Sequence, residues 1–447
     1  MSAGLLFETV EHFPDLLALH HLNPQRYPCL LESVAHGTSQ ARYDILFAFP
    51  DERITLETLS PGSDFLAELD LAWRRQATHQ IKDTHLPFRG GWFIYLGYEL
   101  AGQIEPTLQL PVTSALLPVA FALRVPAAII RDHATGRCWL VSENEQAQID
   151  GMREDIATVM QQAPFASIPI GLHLQEEPPS RYLEAVERIK RYIVDGDVFQ
   201  VNLSREWSGQ TSQYDDIALY DSLRRNNPAP FAGLVRLDDF AIISSSPERL
   251  VSVEGRHVET RPIAGTRPRG NARDSDDANS RELLAHPKER AEHIMLIDLE
   301  RNDLGRVCRP GSIEVNELMV LESYAHVHHI VSNVRGELRD DVSPGDVIRA
   351  VFPGGTITGC PKVRCMEIIT ELEQAPRGAY TGSMGYLNHD GDMDLNILIR
   401  TITREADTIK LRAGAGIVAD SIAERELDET RAKARGMLLA LLDRGGT

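Results

Sequence analysis

Hydrophobic positions recur along this chain with two periods, and the places where one gives way to the other outline its elements. Residues 43–49 form a short apolar run that ends at a Pro-Asp turn, the pattern of a strand. Glycines 90 and 91 lead into a second apolar run over 92–98, and further strands are predicted within 111–130 and over 137–141, around an Ala-Thr-Gly turn. Residues 160–180 are rich in Pro, Gln and Glu and carry little period, so a linker is expected there. Tyr182, Val186, Ile189 and Ile193 then recur at spacings of four, three and four, which puts them on one helix face. That helix should stop near Asp195-Gly196-Asp197, and a strand should resume over 199–204. Strands are also predicted in 240–253, 381–387, 395–403 and 409–419, and helices over 280–300, 362–373 and 423–442. No repeat or low-complexity tract interrupts this order. Strands and helices are both abundant without a regular βαβ alternation, so the expected class is α+β, with one unit over 5–165 and a second over 178–440.

Composition narrows the picture. A chain of 447 residues, 43% hydrophobic, has ample material for two domains. Its five cysteines (Cys29, Cys138, Cys308, Cys360 and Cys365) are odd in number and form no CxxC pair, which fits free thiols in a reducing compartment rather than disulfides or a thiolate zinc site. The first residues, MSAGLLFETVEHF, lack a basic segment followed by a long apolar run, so no secretory leader is expected. The most apolar stretch, 116–130, contains Arg124 and two prolines and is too short to span a bilayer. A cytoplasmic protein is the expectation. The formal charge of −19 opposes binding to nucleic acid or to an anionic membrane, while leaving room for a local cationic pocket and an anionic small substrate.

Several residue groups carry candidate chemistry. Glu289 and Glu292 lie three apart in a predicted helix, as do Glu426 and Glu429, with Lys433 one turn beyond Glu429 on the same face. Paired carboxylates of this kind suit Mg²⁺, although the same spacing is common on ordinary surface helices. FPGGTITGCPK at 352–362 precedes an amphipathic helix with Val363, Met366 and Ile369 or Leu372 inward, and Pro361 suits its first turn. Its glycines would let backbone approach a ligand, or simply make a tight turn; the Walker order is absent. AGAGIVADS at 413–421 is a second such loop and not a dinucleotide fingerprint. Arg400 follows an apolar run and needs a carboxylate partner, from a substrate or from the protein itself. Glu248 follows an apolar strand and three serines, as a surface cap or as an acid at the mouth of a site. His293, His326, His328 and His329 show no HExxH-like spacing, so zinc is not expected.

Five segments taken together resemble the chorismate-utilising enzymes: PIAGTRPRG at 262–270, EHIMLIDLERNDLGRV at 292–307, FPGGTITGCPKVR at 352–364, GDMDLNILIRT at 391–401 and AGAGIVADS at 413–421. The N-terminal part is similar to the family's smaller region through LLES at 30–33 and GGWFIYLGYE at 90–99. The resemblance implies an α+β fold with a large two-sheet sandwich flanked by helices, and Mg²⁺ bound together with chorismate. It implies metal carboxylates at Glu289, Glu292, Glu426 and Glu429, with Glu292 and Glu429 in direct contact. It implies a general acid at Glu248 near the departing C4 hydroxyl, and a histidine near the substrate at His329. Arg400, Gly414, Gly416 and Lys433 match groups that bind the substrate, its carboxylates above all, and Thr358 and Gly359 match the loop beside its ring.

Two positions bear on which reaction is run. Family members that add water carry a lysine base where this chain has Gln200, and a neutral amide cannot act as a base, so amination is favoured. Members that aminate C4 through a lysine nucleophile carry it in a PIKGT segment; here that position is Ala264. Ala264 points to anthranilate formation by amination at C2, or else to a mechanism in which ammonia or another group takes the lysine's place. NPAPFAG at 227–233, GSMGYL at 382–387, MDLN at 393–396 and the chain length point instead to an aminodeoxychorismate synthase component I, forming 4-amino-4-deoxychorismate for p-aminobenzoate and folate synthesis. That product is the first expectation, and anthranilate, from an anthranilate synthase component I, is the alternative. No glutaminase nucleophile segment is present, so ammonia is expected from a separate glutamine amidotransferase subunit, with an aminodeoxychorismate lyase acting downstream. Glu32 and Ser33, in LLES, match a tryptophan-binding segment that some members keep.

Overall fold

The structure, a computed structural model, describes residues 5–442 apart from 36–40, 77–84, 112–115, 164–170, 213–214, 270–280, 284, 286 and 324–326. His326, and the parts of the predicted segments at 112–115, 164–170, 270 and 280, lie outside the described residues. Two large antiparallel sheets dominate, of 12 and 10 strands among the described residues. The first runs in the order Leu6–Val10, Arg137–Ser142, Ala127–Asp132, Tyr43–Ala48, Cys29–Glu32, Phe231–Leu237, Phe240–Ser246, Thr401–Glu405, Thr408–Ile417, Gln200–Gln210 and Gly359–Cys360, with Gln175–Glu176 paired to Gln200–Gln210. The second runs Ile263–Pro268, Val327–Glu337, His257–Thr260, Arg249–Glu254, Met393–Asn396, Ser383–Asn388, Gly91–Leu96, Ala120–Val125 and Arg53–Leu56, with Glu314–Ser323 paired to Val327–Glu337. Each sheet takes strands from both sides of the 160–180 segment.

Successive strand residues face opposite sides of a sheet, and here both sides are buried. Ile45 and Phe47 point into the layer between the sheets, whereas Leu46 and Ala48 join the core under the helices. Phe93 and Tyr95 face inward in the same way, and Trp92, Ile94 and Leu96 outward. The continuous apolar runs read from the sequence follow from this double burial. Aromatic rings close the inner layer across the sheets: Phe47 meets Phe93 edge-on at 5.3 Å and Phe121 lies 6.0 Å from Phe240. Helices Leu16–Leu22, Gln146–Gln161, Asp216–Asn226 and Ala423–Leu442 cover the first sheet; Phe65–Gln76, Pro287–Gly305 and Pro344–Val351 cover the second. The fold is therefore α+β, two antiparallel sheets flanked by helices. Among the described residues no helix is long and apolar enough to cross a membrane.

Helices Lys362–Glu373 and Ala423–Leu442 span the ranges predicted, with Cys365, Met366, Ile369 and Leu372 buried on the first. Pro361 sits at its N-cap, one position outside the helix. Two predicted strands need correction. The apolar segment 240–253 is two strands, Phe240–Ser246 in the first sheet and Arg249–Glu254 in the second. Likewise 395–403 divides into Met393–Asn396 in the second sheet and Thr401–Glu405 in the first. The chain changes sheet at Pro247-Glu248 and again over 397–400, where Arg400 takes a left-handed φ of 51°. The break over 397–400 runs through Ile397, Leu398 and Ile399 and so does not show in the pattern, whereas the break at Pro247-Glu248 lies in the polar run 244–249. The two crossovers lie side by side: Ile397 N–H donates to Glu248 C=O at 3.0 Å, and Ser245 N–H to Arg400 C=O at 3.1 Å.

Candidate active site

The paired crossovers open one wall of a cavity of about 920 Å³. Glu248 and Arg400 reach it from the crossovers, Ala264 and His329 from the edge of the second sheet, and Gln200, Gly414 and Gly416 from the first. Helix Pro287–Gly305 contributes Glu289 and Glu292; helix Ala423–Leu442 contributes Glu426, Glu429 and Lys433. Twelve residues singled out from the sequence thus face one space, although up to 233 positions separate them in the chain.

Glu248 is 5% exposed, and its Oε1 accepts no hydrogen bond among the described residues. Burial pushes its carboxyl from 4.5 up to about 7, against the pull of the Thr356 side chain, the Ile263 amide, Lys433 and Arg400. A carboxylic acid still half protonated at neutral pH is thereby aimed into the cavity. His329 is driven down to about 4, first by burial and then by the Arg400 charge, so it presents a neutral imidazole. The Arg400 guanidinium makes no hydrogen bond or ion pair among the described residues; burial lowers it, and Glu248 draws it back up. Lys433 Nζ is already engaged, with Glu429 Oε1 at 2.8 Å and Gly414 C=O at 3.0 Å.

The AGAG segment, expected as a loop, lies within strand Thr408–Ile417, paired with Gln200–Gln210, and crowding requires its two glycines. A Cβ on Gly414 would fall 2.6 Å from Leu203 C=O and 2.7 Å from the Tyr380 hydroxyl, and one on Gly416 would overlap Gln200 Nε2. In the PIAGT segment Gly265 has φ 72°, and a Cβ there would sit 2.9 Å from Glu289 Oε2. Thr358 and Gly359 stand behind the wall, while Thr356 and Ile357 line it. Thr358 Oγ1 donates to Gly354 C=O at 2.9 Å, Thr358 C=O accepts from Asn202 N–H at 2.9 Å, and Gly359 pairs with Val201. The FPGGTITG loop therefore braces the strand that carries Gln200.

Four further wall residues, Asn202, Thr356, Tyr380 and Arg412, escape the sequence reading. Arg412 belongs to a buried chain of charges: its Nη2 donates to Glu373 Oε2 at 3.1 Å, and Arg377 Nη2 donates to Glu373 Oε1 at 2.6 Å. Burial alone would raise Glu373; the two guanidinium groups outweigh it and hold the carboxylate below its ordinary value. A lone Arg in a strand gives no sign of such a partner, so no sequence signal marked it.

The histidines do not gather. His293 Nε2 meets Ser332 Oγ at 2.6 Å, and His328 Nδ1 meets Ser323 Oγ at 2.7 Å. Among the described residues no three His, Cys, Asp or Glu side chains form a ready metal group. The four cavity carboxylates nonetheless supply an oxygen-only donor set on two helices facing one space, which suits a hard divalent cation. Glu32 and Ser33 line a separate cavity of about 470 Å³ with Phe231, Met384 and Tyr386. Burial raises Glu32 to about 7; it accepts from the Tyr220 hydroxyl at 2.6 Å and pairs with Arg224 at 3.1 Å.

A fold of two helix-covered antiparallel sheets, with an acid and an arginine at their crossovers and four helix carboxylates facing the same cavity, meets its counterpart among known proteins. The chain belongs to the chorismate binding enzyme family, which it matches over residues 27–439. More narrowly, it is a chorismate-utilising enzyme of the group formed by component I of the anthranilate and aminodeoxychorismate synthases. It is 42% identical to aminodeoxychorismate synthase component 1 of Bacillus subtilis (strain 168), over 82% of this chain and 79% of that protein. It is 39% identical to anthranilate synthase component 1 of Synechocystis sp. (strain ATCC 27184 / PCC 6803 / Kazusa), over 93% of this chain and 91% of that one. The crystal structure of anthranilate synthase component I from Streptococcus pneumoniae TIGR4 superposes with a TM-score of 0.80 at 32% identity, covering 90% of this chain and 93% of that one.

Proposed function

We propose that the protein adds ammonia to chorismate, and that the nitrogen enters at C2 to give anthranilate. The observation that carries this reading is Ala264: it faces the cavity at the position where a lysine nucleophile would stand, and the one lysine among the described lining residues, Lys433, is held by Glu429 and Gly414. The relative named for anthranilate synthesis also extends over more of the chain, 93% against 82%. Chorismate is a dianion, and Arg400 and Lys433 are cations suited to its carboxylates. Glu248, protonated, gives its proton to the C4 hydroxyl, which leaves as water while the ring double bonds shift and the C2–N bond forms. Loss of the enolpyruvyl group as pyruvate, with the C2 proton, then restores the aromatic ring. Glu292 and Glu429, with Glu289 and Glu426 beside them, would hold Mg²⁺, which when bound supplies charge neutralisation and electron withdrawal at the ring carboxylate.

A glutamine amidotransferase subunit would supply the ammonia. The smaller cavity at Glu32 and Ser33 is where this reading puts tryptophan. A second reading, amination at C4 to 4-amino-4-deoxychorismate without a lysine adduct, is favoured by the 42% identity to the Bacillus protein. It would bring in a downstream lyase. Product identification separates the two: the protein is given chorismate, Mg²⁺ and ammonium, with an aminodeoxychorismate lyase in a parallel sample. Anthranilate fluorescence without the lyase supports C2; p-aminobenzoate formed only with the lyase overturns C2 in favour of C4.

A further inference from the structure

One stretch of the cavity wall carries buried polar atoms that neither bind a carboxylate nor move a proton. Strand Gln200–Gln210 alternates cleanly at its start: Val201 and Leu203 enter the core beneath helices Pro179–Val194 and Lys362–Glu373, while Gln200 and Asn202 face the cavity. Both side chains are 8% exposed, and neither Gln200 Oε1 nor Asn202 Oδ1 accepts a hydrogen bond among the described residues. A buried amide oxygen left without a donor costs about 1–3 kcal/mol, so two of them on one face of a ligand cavity mark a place where something donates.

The backbone that carries them is fixed from behind. Asn202 N–H donates to Thr358 C=O at 2.9 Å, and Asn202 C=O accepts from the buried Arg377 Nη2 at 2.8 Å. Gln200 C=O accepts from the Cys365 thiol at 3.1 Å. In front, Gly416 and Gly414 leave the space the two amides occupy: a Cβ on Gly416 would overlap Gln200 Nε2, and one on Gly414 would come within 2.9 Å of Asn202 Oδ1. Loop 352–361 and the buried Arg377 thus hold the backbone that carries the two acceptors, and the glycines of strand Thr408–Ile417 leave room for their side chains.

We infer that Gln200 Oε1 and Asn202 Oδ1 form the binding site for the nitrogen nucleophile, ammonia. The inference rests on the amination reading and deepens it. Ammonia donates N–H bonds to the two oxygens and keeps its lone pair free to attack the ring. An amide oxygen is far too weak a base to remove a proton, so water held at the same place stays a poor nucleophile, whereas neutral ammonia needs no deprotonation before attack. Asn202 is thereby a specificity-determining residue and Gln200 its partner.

The test measures initial rates of the full chain with ammonium as nitrogen donor, and KM for ammonium and for chorismate separately. Losing one such hydrogen bond should raise the ammonium KM of Asn202→Ala about tenfold, with the chorismate KM unchanged. Asn202→Asp, close to the native shape, should lower the ammonium KM and also kcat, because a carboxylate binds ammonium tightly and keeps its nitrogen protonated. An unchanged ammonium KM in both variants overturns the inference, as does a chorismate KM that rises in step with it, which would assign the oxygens to the other substrate. A wild-type protein that turns over chorismate without incorporating nitrogen overturns the amination reading itself, an outcome distinct from a wild type that aminates normally beside variants that do not differ from it.

Discussion

Replacing Glu248 by glutamine keeps the shape of the side chain and removes its titration, so it separates two consequences of one burial. The wild-type carboxyl is moved from 4.5 to about 7 by desolvation. As a general acid it must be protonated, so about nine-tenths of the enzyme is competent at pH 6 and about one-tenth at pH 8. The acid-dependent rate should be full below pH 6 and fall tenfold per pH unit above about 7. The same shift acts on stability. A carboxyl raised in the folded state favours folding fully below its unfolded value, and that contribution is lost as pH rises from 4.5 through about 7. The loss reaches about 3 kcal/mol at pH 8 and is under about 1 kcal/mol at pH 5. Glu248→Gln does not titrate, so it should be inactive by a factor of about 10²–10⁴ and yet more resistant to urea than wild type at pH 8, with near equality at pH 5. The rate assay must hold free ammonia constant by adjusting total ammonium at each pH. Activity within tenfold of wild type, a rate flat from pH 6 to 9, or a stability difference equal at both pH values would each refute the reasoning.

Three other perturbations test neighbouring parts of the site. Gly414→Ala drives a Cβ against the Leu203 backbone and should cost about 1–3 kcal/mol in urea denaturation, whereas Gly416→Ala meets a side chain that can swing, and should fold normally while losing about 100-fold in kcat/KM. Glu292→Gln and Glu429→Gln should each raise the Mg²⁺ concentration needed for half-maximal rate by tenfold or more, read by titrating Mg²⁺ into chelator-treated protein; an unchanged requirement would remove these carboxylates from the metal site. Arg377→Met strips Glu373 of its bidentate partner at a site with almost no solvent, and should cost about 3–5 kcal/mol, seen as a lower urea midpoint; a change below about 1 kcal/mol would mean the network adds little.

How much of this was legible beforehand depended on where each residue got its signal. Helices Lys362–Glu373 and Ala423–Leu442 were readable from patterns within their own length, and Pro361 marked the start of the first. The sheet change at Arg400 was not, because an apolar run continues through Ile397, Leu398 and Ile399; the polar run 244–249 marks a break at Glu248, but only tertiary pairing decides which sheet the next strand joins. Helix Asp216–Asn226, capped by Asp215, buries residues almost all round, which blurs its amphipathic stripe. At the site, the motif segments brought Glu248, Arg400 and the four helix carboxylates into view, since each lies inside an unusual local sequence. Asn202, Tyr380 and Arg412 lie in plain strand or turn contexts, and their relevance comes from alternation and burial that need the sheet register. Thr358 and Gly359 were found through the loop motif, but one step of backbone geometry sets Thr356 at the wall and leaves them as its support. In the sequence Ala264 competes with several segments pointing to C4, whereas at the cavity wall the one lysine among the described lining residues, Lys433, is held by Glu429 and Gly414.

The central claim is that the cavity between the crossovers aminates chorismate, and the most direct measurement is the fate of isotopic nitrogen. The protein is incubated with chorismate, Mg²⁺ and ¹⁵N-ammonium, and the products are read by NMR and mass spectrometry. The account predicts one ¹⁵N atom in the product, bonded at C2 of an aromatic anthranilate, with one equivalent of pyruvate and no dependence on a lyase. Label at C4 would keep the amination and move its position. Chorismate consumed with no ¹⁵N in any product would contradict the account.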